Sequence, residues 1–164
     1  MYLSPTSEDD SLPAHIHQIA IAGEDDDFGH LHVVIVEIDS NQRLFIPAYD
    51  AAKAKVTQLC ETLHKGGIYE GVGWVEIDNA KEVTFYDPKW TGKLARWVAY
   101  KRRRIEKRTL GKPIGEISDR ALGEIIECLL RLHAQRPAST LTDDELKKVK
   151  KLAAQLGVNV PAGL

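Results

Sequence analysis

The tetrapeptide Val-Glu-Ile-Asp occurs twice in the chain, at residues 36–39 and again at residues 75–78. Each copy ends an apolar stretch, and each is followed by a polar patch, a second apolar stretch and the dipeptide Tyr-Asp. Because aspartate is a favoured helix N-cap, this pattern predicts two hairpins that each lead into a helix. Duplication of one unit would explain the match. Convergence of two unrelated hairpins on good strand formers explains it as well, and we favour convergence.

The predicted elements follow the order β-β-β-α-β-β-α. The predicted strands cover residues 14–22, 31–39, 44–49, 72–78 and 83–87. The second of these is apolar at successive positions, which indicates a strand covered on both faces. Pro47 has no N–H to donate to a ladder, and this favours an edge position for the third strand. A helix is predicted over residues 50–65, and another begins at Asp87 with Pro88 in its first position.

Two further helices are predicted after residue 112. Ser118 can cap the first, whose apolar residues recur at helical spacing, and Pro137 ends it. The second helix has a capping box of Thr142 and Glu145 and a glycine stop at Gly157. Its lysines avoid the apolar stripe, as expected for an amphipathic helix docked on the core or on a second subunit. They are Lys147, Lys148, Lys150 and Lys151.

These elements predict an α+β protein, with a mixed or antiparallel sheet of about five strands, helices packed on it and two further C-terminal helices. Residues 1–13 are expected to be a flexible acidic lead-in and residues 14–112 an α+β core with two hairpin-helix units. Residues 113–164 are expected to be a helical pair, either in the same domain or as an appendage. There is no secretory signal pattern, no apolar run long enough for a membrane span, and no cysteine pair that indicates a disulfide framework. Cys60 and Cys128 each lie in an apolar helical pattern, where a small buried thiol is expected. We therefore expect a cytoplasmic protein.

Four histidines form two His-x-His pairs on neighbouring predicted strands. His15 with His17, and His30 with His32, each place two imidazoles on one strand face, as metal-binding sheets do. In the hairpin that joins them, residue 20 or 21 lies opposite His32, so His17 is roughly 10–13 Å further along. Zinc needs ligand nitrogens about 2.0–2.1 Å from the metal, so the two pairs cannot share one ion. We expect histidines at strand ends, and we predict no metal and no cofactor.

Other candidates for chemistry have structural explanations that we favour. His64 and His133 lie at predicted helix ends, where the helix dipole stabilises a cation. The glycine-rich residues 66–73 follow a helix and precede a strand, the reverse of the order in a phosphate loop. The carboxylates of the repeated tetrapeptide can act as an acid pair, but two of them open turns. These carboxylates are Glu37, Asp39, Glu76 and Asp78. No catalytic residue is predicted.

Residues 88–112 carry ten bases and a single acid, Glu106. Taken as one helix, residues 88–108 have an apolar stripe beside an almost purely basic stripe. The basic stripe consists of Lys89, Lys93, Arg96, Tyr100, Arg103, Arg104 and Lys107. A row of like charges at helical spacing repels itself unless something anionic lies against it. Phosphates suit this stripe, because arginine forks grip their oxygens and an aromatic ring can stack on a base.

The sequence therefore predicts a non-enzymatic, regulatory protein that binds RNA or DNA through its phosphates. The first 50 residues supply an alternative, since they carry a net charge of −9 while the rest of the chain carries +7. The basic stripe would then pair with the acidic part of the same chain, of a second copy in a homodimer, or of an acidic protein partner. A solvated basic face also fits. A small metal-dependent hydrolase or nuclease is a weaker alternative, and no membrane partner is expected.

Overall fold

The computed structural model describes residues 18–25, 29–39, 42–48, 58, 73–77, 79–87, 97–100, 111–135, 137 and 140–164. Its strands are β1 Gln18–Asp25, β2 Gly29–Asp39, β3 Gln42–Ala48, β4 Gly73–Glu76, β5 Val83–Phe85, β6 Trp97–Tyr100 and β7 Gly115–Ile117. Its helices are α1 Asn79–Glu82, α2 Asp119–Gln135 and α3 Asp143–Leu156. Five strands form an antiparallel sheet in the order β3-β2-β1-β7-β5, and β4 pairs with β6 in a second sheet. The predicted α+β class is confirmed.

The first three strands form two successive hairpins. The register places Ile21 opposite His32, which is one of the two alignments predicted from the loop length. The apolar run of β2 is buried at four successive positions, from residue 33 to residue 36, so both faces of this strand are covered. β3 lies at one end of the five-strand order, and the edge position predicted from Pro47 is confirmed.

The second copy of the tetrapeptide does not form the predicted hairpin. β4 pairs with β6, whereas β5 pairs with β7, and the short helix α1 lies between β4 and β5. The two copies share a buried first residue, Val36 in β2 and Val75 in β4. Local strand-forming residues predict that a strand exists but not which strand it pairs with, because pairing depends on tertiary packing. The prediction of a second hairpin-helix unit is therefore wrong.

β7 is a strand in a part of the chain for which the sequence predicts no strand. It lies between β1 and β5, with Gly115 opposite Ile19 on one side and Phe85 on the other. A strand of three residues is too short for its alternation to be recognised. The five-stranded sheet therefore includes β7, which the sequence does not predict, and does not include β4, which belongs to the second sheet.

Helix α2 begins and ends close to where the sequence predicts. The Ala121 N–H donates to Oγ of Ser118 at 3.1 Å, which makes Ser118 the N-cap. The helix ends at Gln135, two residues before Pro137. Its inner side is deeply buried, with Leu122, Ile126 and Leu129 among the side chains of 0% exposure. The helix therefore forms the centre of the apolar core.

Helix α3 docks on this core through its predicted apolar stripe. Val149 and Ala153 are fully buried and belong to the same apolar cluster as α2 and strands β2 to β4. The capping box is present, since the Glu145 N–H donates to Thr142 Oγ1 at 3.1 Å and the Thr142 N–H donates to Glu145 Oε1 at 2.9 Å. Gly157 ends the helix with a φ of 71°. The helix therefore packs on the core of its own chain.

Several predictions concern residues outside the described ranges. They include the lead-in of residues 1–13, the buried position of Cys60 and most of the helix predicted over residues 50–65. Gln58, which is described, is helical and exposed. None of the described helices is long and apolar enough to cross a membrane.

Candidate functional site

The basic segment of residues 88–112 is not one continuous helix. Its residues Trp97–Tyr100 form β6, which runs antiparallel to β4 with Trp97 opposite Glu76 and Tyr100 opposite Gly73. Successive side chains of a strand alternate between two faces, whereas those of a helix advance by about 100°. The basic stripe predicted for a helix therefore does not continue across β6. A short apolar run such as Trp-Val-Ala is compatible with either period, which is why the prediction failed here.

One of the predicted nucleic-acid-binding residues, Tyr100, is the last residue of β6. The other six lie outside the described residues: Lys89, Lys93, Arg96, Arg103, Arg104 and Lys107. In sequence, Arg96 directly precedes β6 and Lys101 directly follows it. A strand of four residues spans about 10 Å from its first to its last Cα atom. Two groups of basic residues thus flank a strand that β4 holds in place.

A second charged surface lies where the end of β2 meets helix α3. We call it the β2–α3 cleft, and its volume is about 490 Å³. It is lined by Glu37, Ile38, Asp39, Asp144, Lys147, Lys148, Lys151, Leu152 and Gln155. The sequence places the lysines on the polar side of the last helix but does not bring β2 to them, because the two elements are far apart along the chain. Lysines one helical turn apart, without an acid between them, are the signal that could have pointed to this surface.

Lys148 holds the β2–α3 cleft together. Its ammonium nitrogen lies 2.9 Å from Asp39 Oδ2, 2.9 Å from Asp144 Oδ2 and 2.7 Å from Gln42 Oε1. An ammonium has three N–H donors, so these three acceptors saturate it. The hydrogen bond to Asp39 is the main reason that the pKa of Lys148 is raised, with Asp144 second. Lys148 therefore links β2, β3 and α3 and has no donor left for a ligand.

A second polar network joins α1 to the start of α2. Glu82 is 7% exposed, and its carboxylate accepts from the Ser118 hydroxyl and from Arg120 Nε at 2.6 Å. Arg120 also lies 2.7 Å from Glu124, one turn further along α2. Ser118 Oγ is at the same time the N-cap acceptor of α2. Both oxygens of Glu82 are therefore engaged, and the network is a structural link, with no base free to activate a nucleophile.

Of the candidate histidines and cysteines, those that the structure describes lie in β2 or in α2. His133, 4% exposed in the last turn of α2, accepts the Leu141 N–H through Nδ1 at 3.2 Å. Cys128 is buried, as predicted. His30 and His32 lie in β2, while His15, His17 and His64 lie outside the described residues. Within the described ranges, no three His, Cys, Asp or Glu side chains are grouped so that they could hold a metal ion.

No family model, curated protein or solved structure matches the chain when it is compared with known proteins. Function is therefore inferred from the chain's own residues. Positive charge is concentrated in two places: in the sequence of residues 88–112, and in the β2–α3 cleft, where Lys147 and Lys151 form no ion pair with a described residue.

Proposed function

We propose that the protein is a non-enzymatic nucleic-acid-binding protein whose residues 88–112 contact the phosphate backbone. The observation that carries this proposal is the charge of the segment, which has ten bases and one acid in 25 residues. β6 supports it, because the strand ties the middle of the segment to β4 and, through Val75 of β4, to the apolar core. A basic segment tied to a sheet loses less conformational entropy on binding than a free tail does.

The strand changes how the predicted contacts are grouped. Lys89, Lys93 and Arg96 precede β6 in sequence, and Arg103, Arg104 and Lys107 follow it. Each group would grip phosphates, and Tyr100 between them would stack on a base. Phosphate contacts position a protein but carry no sequence information, so we propose binding without base readout.

Fluorescence anisotropy with labelled single-stranded RNA and duplex DNA tests the proposal. With about six phosphate contacts, we expect the affinity for duplex DNA to fall about 10³-fold between 50 and 200 mM salt. The double variant Arg103→Glu/Arg104→Glu should lose most of the binding at the lower salt concentration, because it places two negative charges among the phosphate contacts.

A matched control carries the same change in charge outside the segment. Lys81 and Arg131 are both exposed, in α1 and α2, and Lys81→Glu/Arg131→Glu reverses two charges there. This control should retain binding within a small factor. Equal losses of nucleic-acid affinity in the two double variants would show that net charge alone causes the effect. An absence of binding by the wild type at low salt would refute the proposal.

Pairing of the acidic first 50 residues with the basic segment of a second copy is the alternative. Two acids of that half are already engaged within their own chain: Glu37 lies 3.1 Å from Arg43, and Asp39 lies 2.9 Å from Lys148. Light scattering on the same variants separates the alternatives. A wild-type dimer that dissociates in Arg103→Glu/Arg104→Glu, without any nucleic-acid binding by the wild type, would favour pairing between chains.

A further inference from the structure

The β2–α3 cleft contains two lysines, Lys147 and Lys151, that do not form ion pairs with the acids that line it. Asp39 and Asp144 bind Lys148, and Glu37 binds Arg43. Lys147 and Lys151 also line the cleft and are exposed. Among the described residues, no carboxylate lies within ion-pair distance of either lysine. Each acid of the cleft thus has a cationic partner, although Arg43 contacts only Oε1 of Glu37, whereas Lys147 and Lys151 have no anionic partner among the described residues.

Lys147 and Lys151 stand one turn apart on α3, which is a spacing of about 5–6 Å between their Cβ atoms. Their long side chains can converge on one anionic group that has several oxygens. A phosphomonoester suits this arrangement, because it carries about −1.5 to −2 charges at pH 7 and three acceptor oxygens. The repulsion between two lysines at this spacing is relieved when such a group lies between them.

The rest of the cleft indicates what the phosphate is attached to. Ile38 and the almost fully buried Leu152 give it an apolar part. Glu37 and Gln155 add polar groups, and a carboxylate can accept a hydrogen bond from a hydroxyl. The volume of about 490 Å³ falls within the range of small-molecule sites, roughly 300–1,000 Å³, and far exceeds what a bare phosphate ion fills.

We propose that the β2–α3 cleft binds a small phosphomonoester that carries hydroxyl groups, of the class of sugar phosphates and mononucleotides. Lys147 and Lys151 hold the phosphate, Ile38 and Leu152 contact the body of the ligand, and Glu37 and Gln155 bind its hydroxyls. Lys148 positions the two elements and does not touch the ligand. This site is separate from the basic segment of the proposed function and does not depend on it.

Calorimetry with adenosine 5′-monophosphate, ribose 5-phosphate and glucose 6-phosphate, each beside its unphosphorylated counterpart, tests the proposal. We expect at least one phosphomonoester to bind with a dissociation constant on the order of 100 µM at low salt, since the lysines are exposed. Its counterpart should bind at least tenfold more weakly. NMR shifts on binding should map to Ile38, Leu152 and Gln155.

The variant Lys147→Gln/Lys151→Gln should weaken binding of the phosphomonoester at least tenfold. Lys81→Gln/Arg131→Gln removes the same charge outside the cleft and should change the affinity for the phosphomonoester less than twofold. Both pairs are exposed, and unchanged thermal unfolding verifies that each variant folds. Absence of binding by all three phosphomonoesters at millimolar concentration, or equal weakening in the two variants, would overturn the proposal.

The same phosphate group occurs at the 5′ end of a nucleic-acid strand. A 5′-phosphorylated oligonucleotide and its 5′-hydroxyl form distinguish this source. Similar affinities of the two oligonucleotides, together with binding of a small phosphomonoester, support the small-molecule assignment. A preference for the phosphorylated oligonucleotide that the cleft variant abolishes, without binding of any small phosphomonoester, would overturn it. The variants of the basic segment should leave small-molecule binding unchanged, so the two proposals can fail independently.

Discussion

Gly115 lies where the backbones of β7 and β5 approach each other closely. A Cβ atom at this position would stand 2.7 Å from the Thr84 carbonyl oxygen and 3.3 Å from the Phe85 Cα. Both are backbone atoms of the paired strand, so neither can rotate away as a flexible side chain can. β7 also pairs with β1 on its other side, which restricts how far it can shift. Any residue with a side chain must therefore push the strands apart.

We expect Gly115→Ala to lower the free energy of unfolding by about 1–3 kcal/mol, the usual cost of overpacking a well-packed site. Chemical denaturation of the variant and the wild type measures this change in the free energy of unfolding.

Gly157→Ala is an informative comparison, because its Cβ meets nothing within 4 Å but its φ of 71° is unfavourable for alanine. Gly157→Asn should recover part of that loss, since asparagine tolerates this region, while Gly115→Asn should be worse than Gly115→Ala. A neutral Gly115→Ala would contradict the close approach.

Also at the scale of residues, the signals that the sequence predicts best are those whose partners are close in the chain. The capping box of Thr142 and Glu145, the N-cap Ser118 and the stop at Gly157 involve residues at most four positions apart, and all are confirmed. The close contact at Gly115 could not be predicted, because its partner Thr84 is recognisable only once β5 and β7 are paired.

At the scale of elements, Lys148 links the end of β2, the start of β3 and the first turns of α3 by hydrogen bonds to Asp39, Gln42 and Asp144. The hydrogen bond to Asp39, followed by that to Asp144, raises the pKa of Lys148 above its ordinary value of 10.5. A raised pKa means that the folded state holds this proton more tightly than the unfolded state does. The stabilisation is therefore complete below pH 10.5 and is lost as the pH rises through the folded-state value.

We expect Lys148→Met to unfold at a lower temperature than the wild type at pH 8 and 0.05 M salt. This gap between the two unfolding temperatures should narrow above pH 10.5. Added salt should narrow the gap as well, because the side chain is 28% exposed and its ion pairs are partly screened. Cys128 titrates alike in both proteins and cancels in the difference. Lys147→Met is the matched control and should show little gap. A gap that is constant from pH 8 to pH 12 would show that the charge of Lys148 is not its cause.

Element types are predicted well where a pattern is long and poorly where it is short. Helices α2 and α3 have 17 and 14 residues, long enough for helical spacing to be unambiguous. β6 and β7 have four and three residues, and the sequence assigns both to helical regions. The predicted nucleic-acid surface rests on the same helical assignment. The predicted arrangement of that surface is altered because β6 is a strand. The charge of the surface depends only on composition and is therefore unaffected.

At the scale of the whole molecule, the apolar cluster joins β2, β3 and β4 to both long helices. Cys128 of α2 lies in this cluster with 2% exposure. Burial disfavours the thiolate and raises the pKa of Cys128 to about 11. A thiolate is the reactive form, so the folded core protects this thiol both by lack of access and by a low thiolate fraction.

Labelling of Cys128 by a thiol reagent should therefore report global unfolding. In a Cys60→Ser background at pH 8, we expect the native protein to react at least about a hundredfold more slowly than the urea-unfolded chain, because Cys128 is buried and its pKa of about 11 keeps the thiolate fraction low. The residual rate should follow the free energy of unfolding, so Gly115→Ala should accelerate it. Rapid labelling of the native protein, unaffected by destabilising variants, would contradict the buried position.

The central place of β7 has a consequence for how the chain is made. β1 has two hydrogen-bonded neighbours, β2 directly after it and β7 almost a hundred residues later, with Gln18 opposite Glu116. During synthesis the first of these neighbours is present almost at once, and the second only after residue 117 has been added. Until then the hairpin side of β1 is paired and its other side is an open sheet edge, the kind of surface that pairs with other chains. We therefore expect a nascent chain that has paired β1 with β2 but has not reached residue 117 to expose the sheet edge that β7 covers in the finished sheet.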